Sequence, residues 1–242
     1  MSGSAPRTYR NRLRAGGLVS FRIFAGQTDI LVRAERHLEK EANALLLEGR
    51  FRVEGYIEEN PSFATTLVPW KADLVAPGIV AEMISASAAA GVGPMAAVAG
   101  ALAEYVGRGL SSHSKRVIVE NGGDIYIRTH RPVTVAVLAG DSPLSGRFGI
   151  KIFPEKTPLG VCSSSGRVGH SLSRGKAHAA CVISRSTSLA DAAATALGNM
   201  VSEAGDLERA AASMAEIDGV AGVVVIAGGK MAVWGDVELV EL

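Results

Sequence analysis

Asp191 and Thr195 stand four residues apart in SLADAAATALGNMVSEA. The alanines and leucines of this stretch predict a helix, with Ser188 as its N-cap. A spacing of four puts the carboxylate and the hydroxyl on one helix face. Both are hard oxygens, suited to Mg²⁺ or to a metal carried by phosphate. The same pair is also explained by an acid favoured near a helix start and a threonine used as small filler. A second set lies in SSSGRVGHSLSRGK, where Ser163, Ser164, Ser165 and Gly166 precede His170, Ser171 and Lys176. Hydroxyls, loop N–H groups and a lysine are what a diphosphate needs. A polar surface loop has the same composition. The Walker A spacing is absent, and no Ser–His–Asp order can be assigned.

A third candidate is VIVENGGDIYIR, residues 117–128. Asn121-Gly122 would supply the two positive-φ residues of a hairpin turn. Gly122 and Gly123, beside Asp124, also make a backbone that a phosphate or flavin can approach closely. In Gly91-Val92-Gly93-Pro94, Gly93 precedes a predicted helix, which makes either an anion site or a tight helix–helix connection. His37, His113, His130 and His178 are scattered, with no zinc-type spacing.

The elements that must position these residues are read from periodicity. Strands are expected at 18–24 and near 29–33, and a helix over 34–48 that stops at Gly49. Pro77 and Pro94 each open a helix at its first position. Strands follow at 116–120, 124–128, 132–138, 147–153, 159–163 and 178–184. The helix carrying Asp191 comes next, then a shorter one over 206–216 opened by Asp206. A hairpin turning at Gly228-Gly229 ends the chain. Strict βαβ alternation is missing, so the fold class is α+β with a mostly antiparallel sheet. Residues 1–15 read as a basic flexible tail and 16–242 as one domain.

Lys plus Arg total 25 against 24 for Asp plus Glu. This balance gives no reason to expect nucleic acid or an anionic membrane as a partner. The 21 uncharged residues between Glu82 and Glu104 are long enough to span a bilayer. They are mostly small residues broken by Gly91-Val92-Gly93-Pro94, so two packed helices are expected instead. The Ala/Gly stretch 95–108 could pack within one chain or across a homodimer. Cys162 and Cys181 read as free buried thiols of a cytoplasmic protein.

In order along the chain, Asn121-Gly122-Gly123-Asp124, Ser164-Ser165-Gly166, and Ala190-Asp191-Ala192 with Thr195 resemble motifs of the FAD:protein FMN transferases, the ApbE-like flavin transferase superfamily. The resemblance covers roughly residues 85–205. It implies an α+β flavin-transferase-like fold, with Asp191 and Thr195 as Mg²⁺ ligands and Asn121 to Asp124 lining the nucleotide site. Ala99-Gly100 stands where that family has lysine and glycine. Gly169-His170-Ser171-Leu172-Ser173 stands where it has H-I-I-D-P, keeping a histidine, the candidate catalytic residue, and lacking the aspartate. The expected ligand is a small nucleotide or heterocyclic cofactor, FAD or a related flavin nucleotide. Three activities fit: a Mg-dependent enzyme acting on it, a non-catalytic flavin- or heterocycle-binding protein, or a cofactor-biosynthesis enzyme with a different ligand.

Overall fold

The computed structural model of the protein describes residues 16–164 and 175–242. Eleven strands are present: β1 (Val19–Ala25), β2 (Thr28–Ala34), β3 (Val117–Asn121), β4 (Asp124–Arg128), β5 (Val133–Ala136), β6 (Phe148–Ile152), β7 (Leu159–Ser164), β8 (Ala179–Ser184), β9 (Val220–Ala227), β10 (Lys230–Gly235) and β11 (Glu238–Glu241). The helices are α1 (Glu39–Glu59), α2 (Gly78–Ala90), α3 (Val98–Leu110), α4 (Thr187–Met200) and α5 (Leu207–Ser213). Eight strands form one sheet in the order β1-β2-β3-β4-β7-β8-β9-β10, and β11-β6-β5 form a second. Every pairing is antiparallel. The expected α+β class with an antiparallel sheet is therefore what the chain adopts.

Alternation along the central strands divides their side chains between two cores. Val117, Val119, Tyr126, Cys162 and Val182 join the helices in the larger core. Ile118, Ile125, Ile127, Val161 and Cys181 pack with Val135, Ile150 and Ile152 of the small sheet. The layers are helices, large sheet and small sheet. Both cysteines are free and buried, on opposite faces of the large sheet. Among the described residues no single helix is long and apolar enough to cross a membrane. The two small-residue helices of the uncharged stretch are bent by 106° at their junction.

Several local expectations are corrected. The first helix does not stop at Gly49 but runs from Glu39 to Glu59. A Cβ on Gly49 would lie 3.2 Å from Leu102 and Tyr105, so this glycine serves close packing of α1 on α3. Pro77 is the N-cap of α2, one position earlier than expected. Pro94 opens a 3₁₀ turn over Pro94–Ala97 that leads into α3. The N-cap of α4 is Ser186, whose Oγ accepts from the Leu189 N–H at 3.2 Å, and not Ser188. The C-terminal hairpin turns at Gly228 as expected, but β11 leaves it to pair with β6 in the small sheet.

Helix α4 is seated through its first residue. Thr187 is fully buried between two glycines on different elements. A Cβ on Gly100 of α3 would stand 2.4 Å from the Thr187 carbonyl oxygen, and one on Gly160 of β7 would stand 2.5 Å from the Thr187 Cα. Both obstacles are backbone atoms that cannot turn aside. Gly160→Ala should therefore destabilise the fold by about 1–3 kcal/mol, the usual range for overpacking a filled core. Urea unfolding checks this, and an unchanged midpoint would contradict the seating.

Candidate active site at the junction of two helices and the central sheet

The β3–β4 reversal is made by Gly122 and Gly123, at φ 71° and 119°. Asn121 is thus a strand residue and not one of the two turn residues expected from Asn-Gly. It faces Asp124 across the register. By alternation from Val119 and Tyr126, both side chains point to the helix side of the sheet. Asn121 uses this position to join hairpin to helix, its Nδ2 donating to the Ala99 carbonyl at 3.1 Å.

The next residue of α3 completes the link to α4. The Gly100 N–H donates to Asp191 Oδ2 at 2.8 Å. This amide lies in the first turn of α3, where N–H groups lack intrahelical partners. Asp191 therefore caps a neighbouring helix rather than its own. Burial raises its carboxyl well above the usual carboxylate range, and the nearby Asp124 raises it further, while bonds from Gly100 and Ala99 oppose both. Asp124 is thus near enough for its charge to act on Asp191, and the buried Thr195 lies one turn along α4 from Asp191.

Strand β7 supplies the rest. Cys162 and Ser164 face the helices, and Ser163 faces away and donates to the Gly123 carbonyl at 3.3 Å. The buried Ser164 Oγ has no hydrogen-bond partner among the described residues. Burial first, then Asp124 and Asp191, push the Cys162 thiol well up, so it stands here as a thiol and not as a thiolate nucleophile. Gly93 is used for packing, since a Cβ there would meet the Thr66 carbonyl oxygen at 2.0 Å. Lys176 is exposed and its N–H is tied to Val201, beyond the far end of α4 from Asp191. Ser165, Gly166, His170 and Ser171 lie outside the described residues.

Of the expected site residues, then, Asn121, Asp124, Ser164, Asp191 and Thr195 share one side of the sheet. Gly122 and Gly123 make the turn above it. Ser163, Gly93 and Lys176 point or lie elsewhere. Cys162 and Glu104 were not singled out by the sequence. Glu104 ends the long uncharged stretch, and its place four residues from both Gly100 and Arg108 was the available signal.

Glu104 is 1% exposed and performs the reciprocal cap. Its Oε2 accepts from the Thr187 and Ser188 N–H groups at 2.7 and 3.3 Å, and its Oε1 pairs with Arg108. Among the described residues no cluster of three or more His, Cys, Asp or Glu side chains could hold a metal. A cation at the Asp191–Asp124 pair would have to draw on hydroxyl, backbone, water or ligand oxygens as well, which suits Mg²⁺.

This layered architecture is the fold of the ApbE flavin transferases. A mutant of the flavin transferase ApbE from Vibrio cholerae superposes with a TM-score of 0.61 at 13% identity, covering 90% of this chain and 97% of that one. The apo form of the Pseudomonas stutzeri flavinyl transferase ApbE does so at 0.56 and 16%, covering 90% and 94%. The chain itself belongs to the family described as AbpE bacteria, whose profile matches residues 10–230. A UPF0280 protein of Methanothrix thermoacetophila is 41% identical over 219 residues, 90% of this chain and 91% of its own. One of Methanocella arvoryzae is 46% identical over 187 residues, 77% and 76% of the two chains.

The helix junction yields a pH prediction. Burial, opposed by Arg108 and by the two amides, raises the Glu104 carboxyl above its ordinary value. A carboxyl raised on folding contributes stability that is present below its unfolded value and lost as pH rises through its folded value. Glu104→Gln keeps an acceptor for the two amides and removes that titration. Its stability relative to the native chain should therefore improve as pH rises from about 4 towards 7. Urea unfolding across that window reads the difference, and a constant offset would disprove the assignment.

Proposed function

We propose that the α3–α4 junction binds the diphosphate of FAD, or of a related phosphorylated flavin nucleotide, together with Mg²⁺, and that the chain is a Mg-dependent enzyme acting on that nucleotide. The observation that carries the reading is the pair Asp191 and Asp124, whose charges oppose one another at a half-buried point. A divalent cation would turn that repulsion into attraction. The hydroxyl of Thr195 adds a hard oxygen, and the unpartnered Ser164 Oγ is placed to meet a phosphate oxygen. Bound Mg²⁺ would neutralise the diphosphate and ease departure of AMP.

The chain's own residues would do the positioning. Asp191 is held in place by the Gly100 N–H, and the hairpin wall is held to α3 by Asn121. In FMN transfer an acceptor hydroxyl, from a serine or threonine of a target protein, bonds to the FMN phosphorus as the bond to AMP breaks. The resemblance would give His170, Ser165, Gly166 and Ser171, which lie outside the described residues, a role at the phosphate. The free, buried thiols support a reducing, cytoplasmic setting.

A second reading rests on Ala99, which stands where the resembling transferases carry lysine, and on the missing aspartate after His170. It is binding without turnover. Calorimetric titration of FAD, with and without Mg²⁺, tests both. Native chain should bind more tightly with Mg²⁺, and Asp191→Asn should lose roughly tenfold or more of that affinity. AMP release in the native complex supports the enzyme, and intact FAD supports binding alone. Absence of FAD binding with and without Mg²⁺ would reject both readings.

A further inference from the structure

A cavity lies at the other end of the same two elements. Strand β4 runs from Asp124 at the junction to Arg128, and α3 runs from Gly100 there to Arg108. Each span is about 12–13 Å at the ordinary rise per residue. The cavity has a volume of about 940 Å³, near the upper end of the range of small-ligand sites. Its lining includes Arg108, Lys115, Arg128 and His130, and no acidic side chain among the described residues. Tyr126 forms part of the wall. Its ring lies against α3 only because Gly107 has no side chain, since a Cβ there would stand 2.1 Å from the ring.

The four basic side chains are not equally satisfied. Arg108 is paired with Glu82 and Glu104. Arg128 donates one N–H to the Ser111 carbonyl at 3.2 Å, which also offsets the partial negative charge at the end of α3. It has no ion pair among the described residues. Among the described residues, neither the Lys115 ammonium nor the His130 ring makes a hydrogen bond or ion pair. Glu35, beside Lys115, is engaged by the Lys115 and Ser114 groups, accepting from the Lys115 N–H at 2.9 Å, and its charge is also felt by His130. Arg116, next to Lys115 in the chain, feels Arg131 repel it and Glu35 attract it. An ordinary solvated face interleaves both signs. Here one sign is gathered around a concave space, which focuses its potential on whatever enters.

We propose that this cavity is a second binding site, separate from the helix junction, for a small multiply charged anion bearing phosphate or several carboxylates. Lys115 and Arg128 are the principal anion contacts, with His130 at the rim. The inference does not rest on the flavin reading, because none of the junction residues lines the cavity.

The test is calorimetric titration of the full chain with pyrophosphate and, separately, citrate, in Mg²⁺-free buffer at low salt. Saturable binding is expected. Lys115→Gln, an exposed side chain whose loss leaves the fold intact, should weaken it roughly tenfold, and adding Arg128→Gln should weaken it further. Asp191→Asn should leave it unchanged. A preference for pyrophosphate over citrate identifies a phosphorylated ligand, and the reverse a polycarboxylate. Absence of binding by the native chain overturns the proposal. So does equal binding by Lys115→Gln and native chain, or binding lost in Asp191→Asn and kept in Lys115→Gln.

Discussion

Two carboxylates exchanged between two helices hold this architecture together. Glu104 of α3 receives the first amides of α4, and Asp191 of α4 receives an amide from the first turn of α3. Each helix start leaves N–H groups without partners, and in a buried setting those groups must be satisfied or cost free energy. Ordinarily a local Ser, Thr or Asp would serve. Here Ser186 serves one amide of α4, and the neighbouring helix serves two more. The exchange requires close approach, which the absent side chain of Gly100 permits. The same bond that ties the helices also fixes the Asp191 carboxylate beside Asp124.

The site thereby inherits its rigidity from the core. Asn121 and Asp124 are opposite residues of one tight hairpin. Cys162 and Ser164 lie on a central strand, and Thr195 lies on a helix buried along most of its length. None of these side chains needs to be ordered when a ligand arrives, so binding there avoids much of the usual side-chain ordering cost. The electrostatics show the opposite of stability, since the Asp191 charge is disfavoured by burial and by the neighbouring Asp124.

Much of this was legible in the residues. Asn121-Gly122-Gly123 between two β-branched runs marks a hairpin whatever the tertiary context, though the turn falls one residue later than Asn-Gly predicts, and the Ala-rich stretch around Asp191 marks a helix. Their order also carried the family resemblance. The grouping of Asp124 with Asp191 was not visible, because it depends on which face of β4 meets α4. That face follows from strand register, which is set by pairings remote in sequence. Glycines misled for a related reason. Gly49 read locally as a helix stop and Gly93 as either an anion loop or a tight connection, yet both are small because another segment presses on them. The division of strands into two sheets was equally hidden, since β5, β6 and β11 look locally like any half-buried strand.

The strand order of the large sheet has a kinetic consequence. From β3 to β10 the paired strands follow chain order at moderate separations, with the β5–β6 excursion before β7 and helices α4 and α5 before β9. The exception is β2 with β3, where Ala34 meets Val117 with α1, α2 and α3 strung between them. Closing that loop carries the largest chain-entropy cost in the sheet, and it is repaid only once the three helices are packed. The β1–β2 hairpin is therefore the element whose docking reports completion of the helical layer. Its amides should be the first of the large sheet to exchange with solvent when that layer loosens.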